Sequence, residues 1–467
     1  MAPAIIRPFL SLCRAFPTSP QFPGKPYAKR ACCESKHRLN QSKRCLDNTR
    51  MRRGQRMTVP KGRIAIVGAG PAGMAAALAA IRLGFDVTLF ERAREVKAAG
   101  NILNLWPPPQ KVLKLIGVDT QDLGAPCHTY FENAKGKRRA DVQLPEEVEA
   151  EYGGGFIGLL RWGLYQRMID ALPPGVLKLD HHVVSVDDKG GSVCLTFANG
   201  AVHDADVLVG ADGINSFVRR HLWGDEPIRH QRLHLVGGYL FLDKEPEGVG
   251  IIAHNRTTQV SYTPIRHEGK WGYEWWVLEA CDPSAAPPSD LIGFCRERAR
   301  DFPKTVRDLL EATPLEHMQR WEIRDRPPLR AWSKGRIALV GDAAHPTSPY
   351  AAYGAGMSIE DGYFLARELA AVDMADTAAV QTALLAFEKR RIPHTVQVTQ
   401  GAYFTGKIFH HCPRWLRPLR DWVFDHTPFL QKMVGGDMPR HILSQLAEIE
   451  DAPPYVPMHK RVQAQLS

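Results

Sequence analysis

The feature that most constrains this chain is a glycine-rich turn between a strand and a helix. An apolar strand leads directly into Gly68-Ala-Gly70-Pro-Ala-Gly73, which opens an Ala-rich helical stretch, and a second apolar strand then ends at Glu91. Gly68 would permit the tight turn, Gly70 would let the backbone approach a pyrophosphate, and Gly73 would let helix and sheet pack closely. Glu91 would accept from the ribose hydroxyls of an adenosine. The spacing predicts a dinucleotide-binding βαβ unit, for either NAD or FAD.

Two later segments repeat the pattern of a buried strand that stops at a carboxylate. The first ends in Asp212-Gly213, ahead of a short segment carrying a Ser and an Arg one turn apart. The second ends in Gly341-Asp342 and continues through a loop of small residues to a helix that we expect to begin near Met357. This combination favours FAD over NAD.

In this order, the three motifs resemble those of the class A FAD-dependent monooxygenases, the aromatic-hydroxylase or salicylate-hydroxylase-like group common in fungal secondary metabolism. The resemblance covers about residues 60–440. It implies an α/β fold in which a Rossmann-type FAD-binding domain carries an inserted antiparallel β-sheet substrate domain and C-terminal helices. It also implies bound FAD, with NADPH or NADH and O2 as co-substrates.

The activity implied is hydroxylation of an aromatic or polyketide-like small molecule through a flavin C4a-hydroperoxide, in secondary-metabolite biosynthesis. An epoxidase of a terpenoid or polyene on the same fold is left open. So are a flavin reductase or oxidase that transfers no oxygen, and a scaffold that only binds FAD.

The resemblance assigns roles at the flavin. Asp342 would bind the ribityl hydroxyls, Arg161 would lie along the FAD, and Asp212 with Gly213 would support both the pyrophosphate and the passing nicotinamide cofactor. His345, in the loop after Asp342, is predicted to be structural. The cofactor-binding residues predicted in this way are Gly68, Gly70, Gly73, Glu91, Gly100, Arg161, Asp212, Gly213, Asp342, Gly354, Ala355 and Gly356.

In the family, backbone amides like those of the Gly354-Ala355-Gly356 loop approach the pyrimidine edge of the flavin. That edge is negative when the flavin is reduced, and a helix N-terminus would stabilise the charge. Small residues are expected there because a larger side chain would hold the backbone away.

Between the second and third motifs the sequence alternates as antiparallel strands do. The segments beginning at Leu233, Thr258 and Trp271 read as strands, the last two joined by a four-residue hairpin loop over 267–270. We expect this sheet to cover the reactive end of the cofactor. The predicted substrate-pocket residues are Tyr239, Tyr262, Tyr273, Trp275 and Pro349. Some relatives orient a phenolate with an arginine near the end of the first of these strands, but here that place holds Leu242-Asp243.

The predicted domains follow from these positions. Residues 1–56 form a basic, Pro/Ser-rich, disordered leader, and 57–225 with 331–375 form a discontinuous FAD-binding domain. Residues 226–330 form the antiparallel-sheet substrate domain, and 376–467 form a C-terminal helical region that packs on the FAD domain or makes a homodimer face.

The net charge of +10 is concentrated in the leader, which holds 13 of the 60 lysines and arginines but only two of the 50 acidic residues. The remaining chain is close to neutral, which argues against a nucleic-acid partner. The leader is either an organellar transit peptide or an extension ahead of a start at Met57, so a cytoplasmic location and an organelle both stay open.

The cysteines beyond the leader show neither CxxC nor Cys/His ligand spacing, so we expect free thiols, a reducing compartment and no metal site. No run of 18 apolar residues predicts a transmembrane segment. No conventional catalytic constellation is apparent, and the expected partner is a small apolar or aromatic molecule.

Overall fold

The computed structural model describes residues 60–97, 102–282 and 284–450. The predicted leader, Gly100 and residues 451–467 lie outside the described residues.

The described strands, numbered in chain order, are β1 Arg63–Val67, β2 Asp86–Phe90, β3 Ile102–Leu105, β4 Ala125–Asn133, β5 Arg138–Val142, β6 Phe156–Leu160, β7 Leu177–Lys178, β8 Val183–Asp188, β9 Val193–Phe197, β10 Val202–Ala205, β11 Val207–Gly210, β12 Arg229–Leu242, β13 Val249–His254, β14 Thr258–His267, β15 Lys270–Ala280, β16 Gln319–Asp325, β17 Ser333–Lys334 and β18 Ile337–Leu339. The described α-helices are α1 Pro71–Arg82, α2 Pro107–Leu115, α3 Glu146–Tyr152, α4 Arg161–Asp170, α5 Phe217–Trp223, α6 Leu291–Ala299, α7 Lys304–Ala312, α8 Gly354–Ala370, α9 Thr377–Phe409, α10 Arg417–His426, α11 Phe429–Lys432 and α12 Met438–Glu450.

The first sheet is the predicted dinucleotide-binding sheet. Its strand order is β17-β18-β11-β1-β2-β7, and all pairs are parallel except β17 with β18. The four inner strands lead to the three motifs: β1 to Gly68, β2 to Glu91, β11 to Asp212 and β18 to Asp342. Their residues are almost entirely buried, as expected for a parallel sheet covered on both faces. The carboxyl ends of these parallel strands therefore lie along one edge of the sheet.

Helices α1 and α8 lie side by side against this sheet because small residues let their backbones approach. A Cβ atom on Gly362 of α8 would lie 2.4 Å from the backbone nitrogen of Ala76 in α1. That distance is too short for any Cβ atom, so only glycine fits at position 362. The close contact fixes the helix that follows the third motif against the helix that follows the first.

The second sheet is larger than the sequence predicted. Its strands run in the order β16-β12-β15-β14-β13-β4-β6-β3, and β5 pairs with β4. Thus β3 to β6, which lie within the range 57–225 assigned to the FAD domain, belong to the substrate sheet, and the boundary at 226 is wrong in this respect. The sheet is mixed, because β4 and β13 are parallel. The sequence did not predict this pairing because β3 to β6 are far along the chain from β13, the strand that β4 pairs with.

The hairpin between β14 and β15 is tighter than predicted. Strand pairing continues to His267 and Lys270, which leaves a loop of two residues, Glu268 and Gly269. Both have positive φ, 49° and 77°. This conformation is typical of the two-residue hairpin turns that match strand twist.

Helices cover the remaining surfaces. Helices α6 and α7 pack on one face of the large sheet, and α9 to α12 form the predicted C-terminal helical region, in which α9 is 33 residues long. A small antiparallel sheet of β8, β9 and β10 packs into the core of the first sheet, where Phe197 contacts Phe90. Within the described chain, no helix is long and apolar enough to cross a membrane.

Candidate functional site

The glycine loop between β1 and α1 has three glycines with three different surroundings. Gly68 has φ of +104°, and a Cβ there would lie 2.4 Å from the carbonyl oxygen of Ala211. A Cβ on Gly73 would lie 1.9 Å from the carbonyl oxygen of Gly68. Gly70, the N-cap of α1, has no atom within 4 Å of a Cβ position. Gly68 and Gly73 are therefore required by the fold itself, whereas Gly70 faces open space at a helix N-terminus.

A cavity of about 550 Å³ opens at this loop. Its lining includes Gly68, Gly70, Glu91, Asp212 and Gly213, which brings together residues of the first two motifs. The volume lies within the range of small-ligand sites. One carboxylate oxygen of Glu91 accepts a 2.9 Å hydrogen bond from the Ala69 amide, so this side chain is held against the glycine loop.

The Asp212 carboxylate serves the protein itself. It accepts hydrogen bonds from the Ser216 hydroxyl and from the backbone amides of Phe217 (2.6 Å) and Val218 (3.2 Å). These bonds satisfy unpaired amides at the start of α5. Asp212 therefore caps the start of α5 as well as lining the cavity, and its predicted support of the cofactor stays a prediction. Gly213, with φ of +76° and open space beside it, offers its backbone to the cavity.

Arg219 of α5 joins the second motif to the third. Its side chain is 1% exposed, and its guanidinium donates to the carbonyl oxygens of Ala343 and Ala344 and to Glu226. The loop after Asp342 is thereby held against the cavity wall. In the sequence, Arg219 stands out only through its spacing from Ser216, which assigns it no role.

Tyr165 connects the cavity to the predicted flavin end. Its side chain lines the cavity and lies beside Arg161. Burial raises the pKa of Tyr165; Arg161 opposes this shift, while Asp342 and Glu91 add to it. Tyr165 is therefore within electrostatic range of three predicted site residues. Glu91, Arg161 and Asp342 therefore all lie around Tyr165, and these four residues are called the track below.

The Asp342 carboxyl is exposed, although protein surrounds it closely enough that desolvation raises its pKa, against the opposing charges of His345 and Arg161. An exposed but closely surrounded carboxyl lies in a concave part of the surface. The Nε atom of Arg161 is buried without a hydrogen-bond partner among the described residues. Together with the open space at Gly70, these observations fit an elongated, polar dinucleotide such as FAD.

The helix that follows the third motif begins earlier than predicted. Helix α8 begins at Gly354, not near Met357, so Gly354, Ala355 and Gly356 form its first turn and leave backbone N–H groups unpaired within the helix. A Cβ on Gly356 would lie 2.7 Å from the Tyr353 ring, so this glycine is required by Tyr353. Its predicted part in the close approach of the flavin stays a prediction.

A fully buried charge network holds this loop from behind. The Asp361 carboxylate accepts from the Gly341 amide (3.0 Å), from Arg391 Nε (2.7 Å) and from His345 Nε2 (2.5 Å). Arg391 also donates to Glu360 (2.9 Å). Burial raises the pKa of Asp361, but His345 and Arg391 outweigh it and hold that pKa below its usual value. His345 is thus a structural residue, in line with the sequence analysis.

The two faces of the large sheet differ from the prediction. Tyr262, Tyr273 and Trp275 point toward α6 and α7, and Trp275 Nε1 donates to Thr313 Oγ1 at 2.8 Å on that side. The prediction that these three line the substrate pocket is wrong. Strand alternation separates two faces but does not say which one faces the cofactor, and here both faces carry aromatic rings.

The opposite face, termed the inner face below, is directed toward the FAD domain. Tyr239 lies on it, 5.2 Å from the Trp162 ring. Trp276 and Tyr350 of the third motif's loop pack against the same apolar cluster of this face. Pro349 is exposed and begins a short 3-10 turn, Pro349–Ala351. Tyr239 and Pro349 therefore stay predictions as pocket residues. Glu274 also lies on this face and was assigned no role from the sequence. A carboxylate within a strand of aromatic residues is the signal that could have indicated it.

Two family models match parts of the chain. The FAD binding domain family matches residues 177–402, and the pyridine nucleotide-disulphide oxidoreductase family matches residues 62–241. The fold and the cavity between the motifs define a protein that binds FAD. Among the described residues, no group of His, Cys, Asp or Glu side chains is arranged to hold a metal ion.

Similar proteins show which kind of FAD-binding protein this chain is. The chain is 29% identical over 400 residues to 6-hydroxynicotinate 3-monooxygenase of Bordetella bronchiseptica, covering 80% of this chain and 98% of that protein. It is 27% identical to salicylate hydroxylase of Pseudomonas putida, covering 74% and 86%. The solved structure of Klebsiella pneumoniae HpxO with FAD and uric acid has the same fold, with a TM-score of 0.72 at 22% identity over 82% of this chain and 97% of that one. The chain belongs to the class A FAD-dependent monooxygenases.

Proposed function

We propose that this enzyme hydroxylates a small aromatic molecule, using NAD(P)H and O2, and that it does so where the inner face meets the third motif's loop. The observation that carries the proposal is the single track of Glu91, Tyr165, Arg161 and Asp342 leading from the glycine cavity to that loop. The relatives named above, whose names specify aromatic ring monooxygenation, support the substrate class.

Each group on the track has a distinct task. The amides at the start of α1 and the backbone of Gly70 would hold the pyrophosphate, and Glu91 would accept from the ribose. Asp342 would accept from the ribityl hydroxyls, and the guanidinium of Arg161 would lie along the cofactor. The first turn of α8 would stabilise negative charge at the pyrimidine edge.

Bound FAD, when reduced, supplies the activation of O2 and the transfer of one oxygen atom. The protein orients the ring and excludes water with the large sheet, whose inner face is closed by Tyr239, Trp276 and Tyr350. Secondary-metabolite biosynthesis stays a prediction, as does the choice between NADPH and NADH.

The test measures NAD(P)H oxidation, hydrogen peroxide and product with the FAD-loaded protein and a panel of phenols. Ring-stimulated NAD(P)H oxidation that yields hydroxylated product supports the proposal. Stoichiometric peroxide without product indicates a reductase or oxidase, absence of NAD(P)H oxidation indicates a scaffold, and an epoxide product indicates the epoxidase. Each of these three results contradicts the proposal.

A further inference from the structure

Glu274 is a buried carboxyl that the roles described so far do not use. It lies in the middle of β15, is 2% exposed, and its Oε2 atom has no hydrogen-bond partner among the described residues. An unsatisfied buried polar atom is costly in free energy, so its retention calls for an explanation. A bound polar molecule would supply the missing partner.

The position of Glu274 places it at the proposed reaction site. Its neighbour across β12 on the inner face is Tyr239, whose ring lies against Trp162, the residue after Arg161. Two residues further along the same face, Trp276 packs against the apolar cluster that Tyr350, the residue after Pro349, also contacts. Glu274 therefore lies between the elements that carry Arg161 and Pro349, both expected beside the flavin.

A second unpaired oxygen lies close by. The backbone amide of Leu103 in β3 lies beside the Glu274 carboxyl and opposes the rise of its pKa. The next residue is Asn104, whose buried Oδ1 atom also has no partner among the described residues. Burial raises the pKa of Glu274 well above its usual value, which favours the uncharged form of this carboxyl. An uncharged carboxyl donates through its O–H, while Asn104 Oδ1 accepts.

On the inner face, no strand position adjacent to Glu274 carries a positive charge. The inner-face positions nearest Glu274 on β12, β14 and β15 hold neither lysine nor arginine; they are Gly237, Tyr239, Phe241, Ser261, Thr263, Ile265, Gly272 and Trp276. Lys270 lies on the same face at the start of β15, four residues from Glu274, with its Nζ over the Phe241 ring. A carboxylate bound there would be desolvated without a compensating cation, which is strongly unfavourable. An uncharged ring meets no such penalty.

We propose that Glu274 and Asn104 are specificity-determining residues that select an uncharged aromatic substrate carrying a hydrogen-bond acceptor next to a donor, such as a phenol carboxamide or a lactam ring. Glu274 donates to the acceptor, and Asn104 accepts from the donor. The inference rests on the proposed function, because it names the substrate class of that same site. It separates this enzyme from relatives named for aromatic acids.

The test is binding to the FAD-loaded full chain, followed by the change in flavin absorbance at pH 7.5. Two matched pairs of probes differ in charge but hardly in shape: salicylamide with salicylate, and 4-hydroxybenzamide with 4-hydroxybenzoate. We expect at least one amide to bind about tenfold or more tightly than its acid, consistent with one buried hydrogen bond and an avoided buried charge. Glu274→Gln should keep this preference, and Glu274→Leu should weaken amide binding about tenfold.

The matched controls are Glu279→Gln and Glu279→Leu. Glu279 lies on the same strand but on the opposite face, paired with Arg298, so neither change should alter the preference. The proposal is overturned if the acids bind as tightly as the amides, if no probe binds, or if Glu274→Leu with normal FAD content binds the amides unchanged. Binding is measured before turnover. An amide preference without any oxygen transfer would therefore contradict the proposed function alone.

Discussion

Gly70 and Gly73 stand three residues apart in one loop, but the protein surrounds them differently. Alanine at position 73 would force its Cβ against the Gly68 carbonyl oxygen, whereas alanine at position 70 would project into open space. We expect Gly73→Ala to lower the free energy of unfolding of the FAD-free protein by about 1–3 kcal/mol or more. Gly70→Ala should change it by only about 0.5 kcal/mol while weakening FAD binding.

Urea denaturation of the FAD-free variants and titration with FAD, followed by flavin fluorescence, measure the two effects separately. Equal losses of stability in both variants would contradict the assignment of Gly70 to the cofactor.

Asp342 is the carboxylate assigned to the ribityl chain. Replacing it with alanine removes charged hydrogen bonds that are each worth about 1.5–3 kcal/mol, so Asp342→Ala should weaken FAD binding by at least about tenfold and yield protein largely free of flavin. The ratio of flavin to protein absorbance after purification measures this. The control is Asp301→Ala, at an exposed position in the loop between α6 and α7, and this variant should keep its flavin. A fully yellow Asp342→Ala protein would show that the site is misassigned.

Sequence reasoning succeeded at the residue scale where the chemistry is local. The glycine loop, Glu91 and Asp342 each lie at the end of a strand whose apolar pattern is visible in the sequence. It failed for Tyr262, Tyr273 and Trp275, because the pattern of a strand defines two faces and only the packing of α6 and α7 decides between them.

At the scale of elements, one buried ion pair joins the loop of the third motif, α8 and α9. Asp361 and Arg391 are both inaccessible to solvent, and Asp361 also holds the Gly341 amide. The sequence gives no indication of this pairing, because the partners are 30 residues apart in the chain and each resembles an ordinary helix-surface charge. The boundary error at residue 226 has a similar origin, since β3 to β6 join the large sheet through non-local pairing.

The pKa of Asp361 makes this network testable by pH. A carboxylate whose folded-state pKa lies below its unfolded value of about 3.9 stabilises the fold above that value, and the stabilisation is lost as pH falls through the folded pKa. Asp361→Asn should therefore lower the free energy of unfolding by about 3 kcal/mol or more at pH 7, because it leaves Arg391 less well paired. The deficit should be constant to about pH 5 and shrink below about pH 4.

Urea titrations of the wild type and the variant at pH 7, 5 and 3.5 measure this difference. The control is Glu368→Gln, on the same helix as Asp361, which removes a partly exposed partner of Arg390 in α9. It should lower the free energy of unfolding by about 1 kcal/mol or less. A deficit for Asp361→Asn that grows as the pH falls would contradict the assignment.

At the scale of the whole molecule, the positive charge and the proposed chemistry belong to different parts of the chain. The excess of lysine and arginine lies in residues 1–56, whereas the described sheets begin with β1 at Arg63. A chain starting at Met57 should therefore bind FAD and oxidise NAD(P)H as the full chain does, within about twofold, because electrostatic effects on a site fall off with the screening length. Flavin content and steady-state rates of both chains measure this. Loss of flavin from the shorter chain would assign the leader a part in the fold.

The central claim is that the protein transfers one atom of O2 to an aromatic ring. The most direct measurement is mass spectrometry of the product formed by the FAD-loaded protein with NAD(P)H, a phenolic carboxamide and ¹⁸O2. The account predicts a product heavier by one ¹⁸O atom on the ring, formed in proportion to the NAD(P)H consumed. Unlabelled substrate recovered together with stoichiometric hydrogen peroxide, across the whole panel of rings, would contradict it.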